Sequence, residues 1–154
     1  MTSFPSASPR RLAVAVACVA SAMLLFELMI TRIFSVLFFY HFSFFAISLV
    51  MSGLVLGGIW AATWDVRRLD DTAFFTRLAR LAWAFAALLL AATVVSKFLP
   101  LLTASSGPSL PVVALHAVIF LPGLVAAGAF LAAAFARNKD WIGRLYAWDL
   151  VAAA

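Results

Sequence analysis

The fold is decided by residues 12–64, LAVAVACVASAMLLFELMITRIFSVLFFYHFSFFAISLVMSGLVLGGIWAATW, an apolar run whose only charged residues are Glu27 and Arg32. As one helix this run would extend roughly 80 Å at 1.5 Å per residue, whereas the hydrocarbon core of a bilayer is about 30 Å thick. The run must therefore fold back once. The run contains no glycine or proline before Gly53 that could mark the turn, so we locate the turn from the positions of the polar residues. We predict a first span at about 12–31, a turn within 32–43 and a second span at about 44–64.

Composition supports a membrane protein. The chain of 154 residues is 66% hydrophobic and 11% charged, and its mean hydropathy is +1.11. Soluble domains are about 45–50% apolar and 25% charged, so lipid is the expected solvent for most of the surface. The net charge of +5 does not indicate nucleic acid, because the basic residues form three separate groups rather than one patch with interleaved aromatics.

The rest of the chain continues the pattern of spans and loops. Residues 1–10 are rich in serine and proline and are predicted to be a disordered cytoplasmic tail. Residues 65–80 form a hydrophilic loop, in which Asp70 or Asp71 followed by Thr72 can cap the next helix. Further spans are predicted at about 81–99 and 111–136, with a partial fifth at 145–154. The predicted fold is an all-α polytopic transmembrane bundle with four full spans and a partial fifth.

The distribution of basic residues predicts the orientation. If the four spans alternate, nine of the 11 basic residues fall on one side, and Arg32 and Lys97 lie opposite. Lysine and arginine concentrate in cytoplasmic loops, so the N-terminus is predicted to be cytoplasmic. A cleaved signal peptide is the alternative, since Arg10 and Arg11 precede an apolar run and Ala20-Ser21-Ala22. That run continues through the cleavage position to Ile30, which favours a span.

Glu27 is a carboxylate predicted to lie within the membrane, about 22 Å from Leu12 along the first span. A carboxylate at this depth is costly unless it is paired with another group, protonated or hydrated. Arg32 is five residues further on and badly placed for a pair on one helix unless the helix ends near Thr31. Three interpretations stay open: an ion pair or hydrogen bond at the outer rim, a substrate or proton site, and a side chain that reaches water.

The stretch FFYHFSFF, residues 38–45, places Tyr40 and His41 at or near the predicted turn, where amphipathic rings are favoured. Phe34, Phe38 and Phe42 recur at every fourth position, which is typical of a short interfacial helix. His41 is interpreted as a hydrogen-bonded interfacial histidine, with a proton or ligand role and a metal role as alternatives. His116, in the fourth span, is interpreted as forming an interhelical hydrogen bond, with a role in transport as the alternative.

Gly53, Gly57 and Gly58 form a pattern that lets helices approach closely, so we predict helix packing there. Pro122 interrupts the fourth span, which is expected to kink or break at that level. Aromatic residues near the predicted cytoplasmic boundaries are expected to form an interfacial belt: Trp60, Trp64, Trp141, Tyr146 and Trp148.

The chain contains no nucleotide loop, no metal-binding motif and no nucleophile motif. No cofactor, catalytic residue or metal is therefore predicted.

The run from Glu27 through Thr31-Arg32 and Tyr40-His41 to Gly57-Gly58 resembles the first two spans of bacterial membrane-bound spermidine synthase-like proteins. Ile142-Gly143-Arg144-Leu145-Tyr146-Ala147 resembles the start of the fifth span of that family. The resemblance implies a multi-span region in a bacterial inner membrane that precedes a soluble aminopropyltransferase domain. It also implies that the motif residues of the family correspond to Glu27, Arg32, Tyr40 and His41.

The chain departs from that family pattern in three ways. Trp148 stands where a small residue is usual, and Ala152-Ala153-Ala154 replaces a stretch with glycines. The catalytic half of the family is missing, so this chain alone is not expected to make spermidine. It is expected to be a truncated product, a separately encoded membrane module, or a part retained for assembly.

Three functions follow as hypotheses. The first is a membrane anchor or assembly unit of the spermidine synthase-like kind. The second is a small transport or proton-pathway component that uses Glu27, Arg32 and His41. The third is an accessory subunit of a larger membrane complex. The expected partners are the lipid bilayer and other membrane subunits or a catalytic domain, and not nucleic acid.

Overall fold

The chain forms a bundle of helices in the computed structural model, which describes residues 9–38, 43–66, 68–103, 110–138 and 141–153. Across these ranges the elements are five helices and no strand, which confirms the all-α prediction. The helices are α1 (Pro9–Phe38), α2 (Ser43–Ala62), α3 (Asp71–Thr103), α4 (Leu110–Arg137) and α5 (Ile142–Ala153). The first four are long and apolar enough to cross a membrane. In hydrocarbon only helices and closed barrels satisfy their own backbone, so these sequences fold as helices.

Helix α1 is longer than the predicted first span at both ends. It begins at Pro9, inside the predicted tail, and it continues to Phe38. Proline is tolerated in the first turn of a helix, where its missing N–H would have no partner. Arg32 is therefore a helical residue and not part of a turn. Residues 39–42 of the predicted turn lie outside the described residues.

Helix α3 begins ten residues before the predicted third span. Asp70 is its N-cap: the amide of Phe74 donates to the Asp70 carbonyl at 2.9 Å, and the Thr72 hydroxyl donates to the Asp70 carboxylate. The Thr72 hydroxyl and the amides of Asp71 and Thr72 lower the pKa of the Asp70 carboxyl. The cap predicted from the sequence is present, and the polar segment after it is the first part of α3 rather than a loop.

Helix α4 is the centre of the bundle. It packs against α2 and α3 most extensively and also touches α1. Its most apolar stretch is 56% buried, against 22% for the corresponding stretch of α3. Small side chains allow this position, because several alanines of α4 are buried: Ala126, Ala127, Ala129, Ala133 and Ala134.

The sequence predicted a kink or a break at Pro122, and the helix runs through this residue without a break. Pro122 lacks an N–H and leaves one carbonyl in the preceding turn without its usual partner. The neighbouring turns and the packed α2 and α3 helices keep the remaining backbone helical. Proline is tolerated in this way in membrane helices whose surroundings hold the chain.

Aromatic rings connect α1 to α4. Phe26 meets Phe120 with 5.4 Å between ring centres, and Phe34 meets His116 at 5.7 Å, both edge to face. The α1 numbers rise as the α4 numbers fall, so the two helices are antiparallel. Phe34 is fully buried and also contacts Phe45 of α2 at 5.8 Å. The interpretation of Phe34 as part of an interfacial helix is therefore wrong, because its ring fills the junction of three helices.

Several hydroxyl groups inside the apolar helices bond to the backbone of their own helix, whereas Ser21 of α1 donates to the Ala152 carbonyl of α5 at 2.8 Å. Thr31 donates to the Glu27 carbonyl at 2.8 Å, and Thr93 donates to the Leu89 carbonyl at 2.8 Å. Ser52 donates to the Ser48 carbonyl at 2.7 Å. Such bonds satisfy a hydroxyl without a partner from another helix, so these residues are compatible with lipid contact.

Large apolar side chains cover the outside of the bundle. Trp83 is 78% exposed, Phe44 75% and Leu90 67%. A soluble protein rarely exposes contiguous apolar surface on this scale. The exposed surface is that expected of helices surrounded by lipid or by other membrane helices.

Candidate functional site

The polar groups gather at the two ends of the bundle. Because α1 and α4 are antiparallel, the start of α1 lies at the same end as Arg137 at the end of α4. The α2–α3 connection and the start of α5 are also there. We call this the basic end, and its described basic residues are Arg10, Arg11, Arg68, Arg77, Arg80, Arg137 and Arg144. Arg32 and Lys97 lie at the opposite end, which we call the far end.

Arg137 joins α4 to the α2–α3 connection. Its guanidinium donates to the carbonyls of Val66 at 2.9 Å and Leu69 at 2.7 Å, and it forms an ion pair with Asp71. The same group lies 4.7 Å from the ring centre of Phe74. A planar guanidinium has five N–H donors, so one side chain can bond to two backbone carbonyls and a carboxylate at once. Arg137 therefore fixes the connection and the start of α3 against α4.

Sequence reasoning counted Arg137 only as a basic-side charge. Its partners stand 66 to 71 positions earlier in the chain. No local pattern links positions so far apart. The only signal was a basic residue in the last turn of an apolar helix, which is also favoured by the helix dipole.

The structure does not bring Glu27 and Arg32 together as an ion pair. Helix α1 continues past Thr31, so the five-residue spacing leaves the two side chains on different faces. Glu27 is half-buried and Arg32 is exposed. The ion pairs among the described residues join Arg68 to Asp65 at 2.6 Å and Arg137 to Asp71.

Tyr40 and His41 lie outside the described residues, and their predicted roles stay predictions. His116 is buried in α4, and its Nδ1 lies 2.8 Å from the Val112 carbonyl one turn earlier. Its ring is held between Phe34 and Phe120, whose centres are 5.7 Å and 6.4 Å away. Sequence reasoning singled out His116 but not the aromatic rings that enclose it.

The glycines of α2 divide into two groups. A side chain at Gly53 would collide with Leu124, and a Cβ at Gly57 would lie 2.5 Å from the Ala129 nitrogen. Gly128 of α4 faces them, since a Cβ there would lie 2.8 Å from the Leu54 carbonyl oxygen. The backbones of α2 and α4 are therefore in direct contact where the two helices cross. Gly58, by contrast, has no atom within 4 Å of the corresponding position and plays no part in this crossing.

Two surface grooves flank the basic end. One of 280 Å³ lies between α2 and α4 and is lined mainly by alanine and glycine, with Trp64 and Asp65 at its polar end. The other, of 430 Å³, is formed by Phe135, Ile142, Gly143 and Tyr146. Across the described parts of the chain, no three His, Cys, Asp or Glu residues stand together as metal ligands would. Neither groove combines polar groups in a way that indicates an active site.

Comparison with known proteins adds no assignment: no family model, curated protein or solved structure matches the chain.

Proposed function

We propose that the chain is an integral membrane module that serves as an anchor or assembly unit, like the membrane region of the spermidine synthase-like proteins that its first two spans resemble. The proposed location is a bacterial inner membrane with the basic end in the cytoplasm. Four helices long and apolar enough to span a membrane support the membrane part of this proposal. The asymmetry of the arginines supports the orientation.

The composition of the bundle interior is the observation that carries the anchoring role. The buried side chains of the described residues are apolar except for Ser96 and His116. Ser96 donates to the Thr93 carbonyl at 2.9 Å, and His116 bonds to the Val112 carbonyl. Polar groups that serve a transport pathway face a cavity or one another within the membrane. Here Ser96 bonds within its own helix, and the His116 ring packs between the rings of Phe34 and Phe120, which favours a scaffold.

The exposed face of α3 supports assembly with a partner. Only 22% of its most apolar stretch is buried, and α3 packs chiefly against α4. Its outer face carries Leu90 and Phe98, both more than half exposed. A second membrane subunit or an attached domain with its own helices would cover this face.

Purification in a mild detergent tests the proposal. The full chain should migrate as a stoichiometric complex with another protein or domain, and Glu27→Gln should leave that complex intact. The same variant in liposomes should conduct protons no differently from the wild-type chain. A lone chain whose proton or substrate flux disappears in Glu27→Gln would favour the transport hypothesis and contradict the anchoring role.

A further inference from the structure

The basic end carries exposed arginines that the anchoring role does not use. The Arg77 guanidinium carbon lies 5.6 Å from the ring centre of Trp64, in the connection that follows α2. Arg80 follows one helical turn later and is exposed, and Trp83, a further turn on, is 78% exposed. Residues three apart are neighbours on a helix surface. We call Trp64, Arg77, Arg80 and Trp83 the α3 arginine strip.

No carboxylate in the described part of the protein neutralises the positive charge of this strip. Within the ranges that the structure describes, the ion pairs use Arg68 and Arg137, and neither Arg77 nor Arg80 has a carboxylate within ion-pair distance. A guanidinium presents paired N–H donors that fit two phosphate oxygens at once. The strip is therefore complementary to a phosphate group.

The length of α3 places this strip at headgroup depth. Its 33 residues extend about 50 Å, which exceeds the hydrocarbon core of about 30 Å. Arg77 and Arg80 belong to the part of α3 near its start, beside the connection that Arg137 holds. Trp83 then lies toward the boundary of the hydrocarbon, where tryptophan rings concentrate.

We propose that the α3 arginine strip binds the phosphate of an anionic phospholipid in the leaflet that faces the basic end. Arg77 and Arg80 donate to the phosphate oxygens. Trp64 holds the Arg77 guanidinium in place, and Trp83 lies against the glycerol region of the lipid. This inference goes beyond the anchoring role. Of the proposed function it requires only that the four long helices cross a membrane.

Native mass spectrometry of the full chain in a neutral detergent tests it. Titration with phosphatidylglycerol and with phosphatidylcholine gives the preference for the anionic lipid. Each arginine near an anionic headgroup contributes about fivefold, so Arg77→Gln with Arg80→Gln should lower the preference about 25-fold. Arg77→Lys with Arg80→Lys keeps both charges but removes the paired N–H donors, so it should lose less of the preference than the glutamine variant does, which separates charge loss from misfolding.

Matched control variants test whether the loss of preference for the anionic lipid is specific to the arginines of α3. Arg10→Gln with Arg11→Gln removes the same charge at the basic end, and Arg32→Gln with Lys97→Gln removes it at the far end. Both should leave the preference within about twofold of the wild-type value. An equal loss in the Arg10 and Arg11 variant would show a diffuse field and overturn the proposal. So would an unchanged preference in the Arg77 and Arg80 variant, or displacement of the lipid by an equal concentration of inorganic phosphate.

Discussion

Arg137 illustrates how one side chain in this protein secures an entire connection. Its guanidinium is mostly buried, with 20% of the side chain exposed, and it serves Val66, Leu69 and Asp71 together. Hydrogen bonds to charged groups contribute about 1.5–3 kcal/mol each, and loss of the donor leaves acceptors unsatisfied. Arg137→Gln should therefore lower the free energy of unfolding by about 2–4 kcal/mol. Denaturation of the purified chain in mixed detergent micelles measures this.

Arg32→Gln is the control for that experiment, because Arg32 is exposed and outside the ion pairs described above. It should change the stability by less than about 0.5 kcal/mol. Equal effects of the two variants would show that the contacts of Arg137 do not stabilise the bundle.

Asp70 gives the start of α3 a pH dependence. The Thr72 hydroxyl and two backbone amides lower the pKa of its carboxyl from the ordinary value of 3.8. A carboxyl with a lower pKa in the folded state stabilises the fold above the unfolded pKa and loses that contribution as the pH falls through the folded value. Asp70→Ala should be less stable than wild type at neutral pH, and the difference should shrink below pH 3.8. Thermal unfolding at both pH values measures it, and a constant difference would contradict the assignment.

The contrast between Asp70 and Arg137 shows what sequence can predict at this scale. The cap of α3 was predictable, because an acidic residue before Thr72 interacts with amides of the next turn. The role of Arg137 was not, because its partners come from a distant part of the chain. Such contacts depend on how the helices pack in the folded bundle, and a single sequence does not show that packing.

The crossing of α2 and α4 depends on contact between backbones. At Gly57 a Cβ would lie 2.5 Å from the Ala129 nitrogen, whereas at Gly58 nothing lies within 4 Å. Gly57→Ala should destabilise the bundle by about 1–3 kcal/mol, as overpacking does. Gly58→Ala should be neutral or slightly stabilising, since alanine favours helix. Unfolding of the two single variants measures the contrast, and similar effects would refute this crossing geometry.

Phe34 marks the packing of α1 against α2 and α4. It is fully buried, whereas Phe44 is 75% exposed on the outside of α2. Phe34→Ala should cost about 3 kcal/mol of stability because it leaves a cavity beside His116. Phe44→Ala should have little effect, since the ring contacts only the surrounding lipid or detergent. A large effect of Phe44→Ala with none of Phe34→Ala would restore the interfacial interpretation of Phe34.

The helices themselves were largely predictable, and their ends and faces were not. Apolar length predicted four spanning helices, since a bilayer of fixed thickness sets that length. The phenylalanine spacing indicated a helix but could not say which face is buried, because apolar side chains suit both lipid and protein. Pro122 was expected to kink or break α4, and the helix continues through it without a break.

At the scale of the whole molecule, charge and apolarity divide the bundle along its axis. Seven described arginines lie at the basic end, and Arg32 and Lys97 lie at the far end. Such an asymmetry orients membrane proteins with the basic end in the cytoplasm. Sequence predicted this division, but it did not predict that α4 would occupy the centre. That position follows from the small residues of α4, which let α2 and α3 approach it closely.

Cysteine labelling in intact cells tests the threading of the chain most directly. Cys18 is first changed to serine, and Arg68→Cys or Lys97→Cys is then introduced to place a single thiol at either end of the bundle. With a membrane-impermeant maleimide, Lys97→Cys should react in intact cells and Arg68→Cys only after the membrane is opened. Labelling of Arg68→Cys in intact cells, with Lys97→Cys protected, would contradict the account.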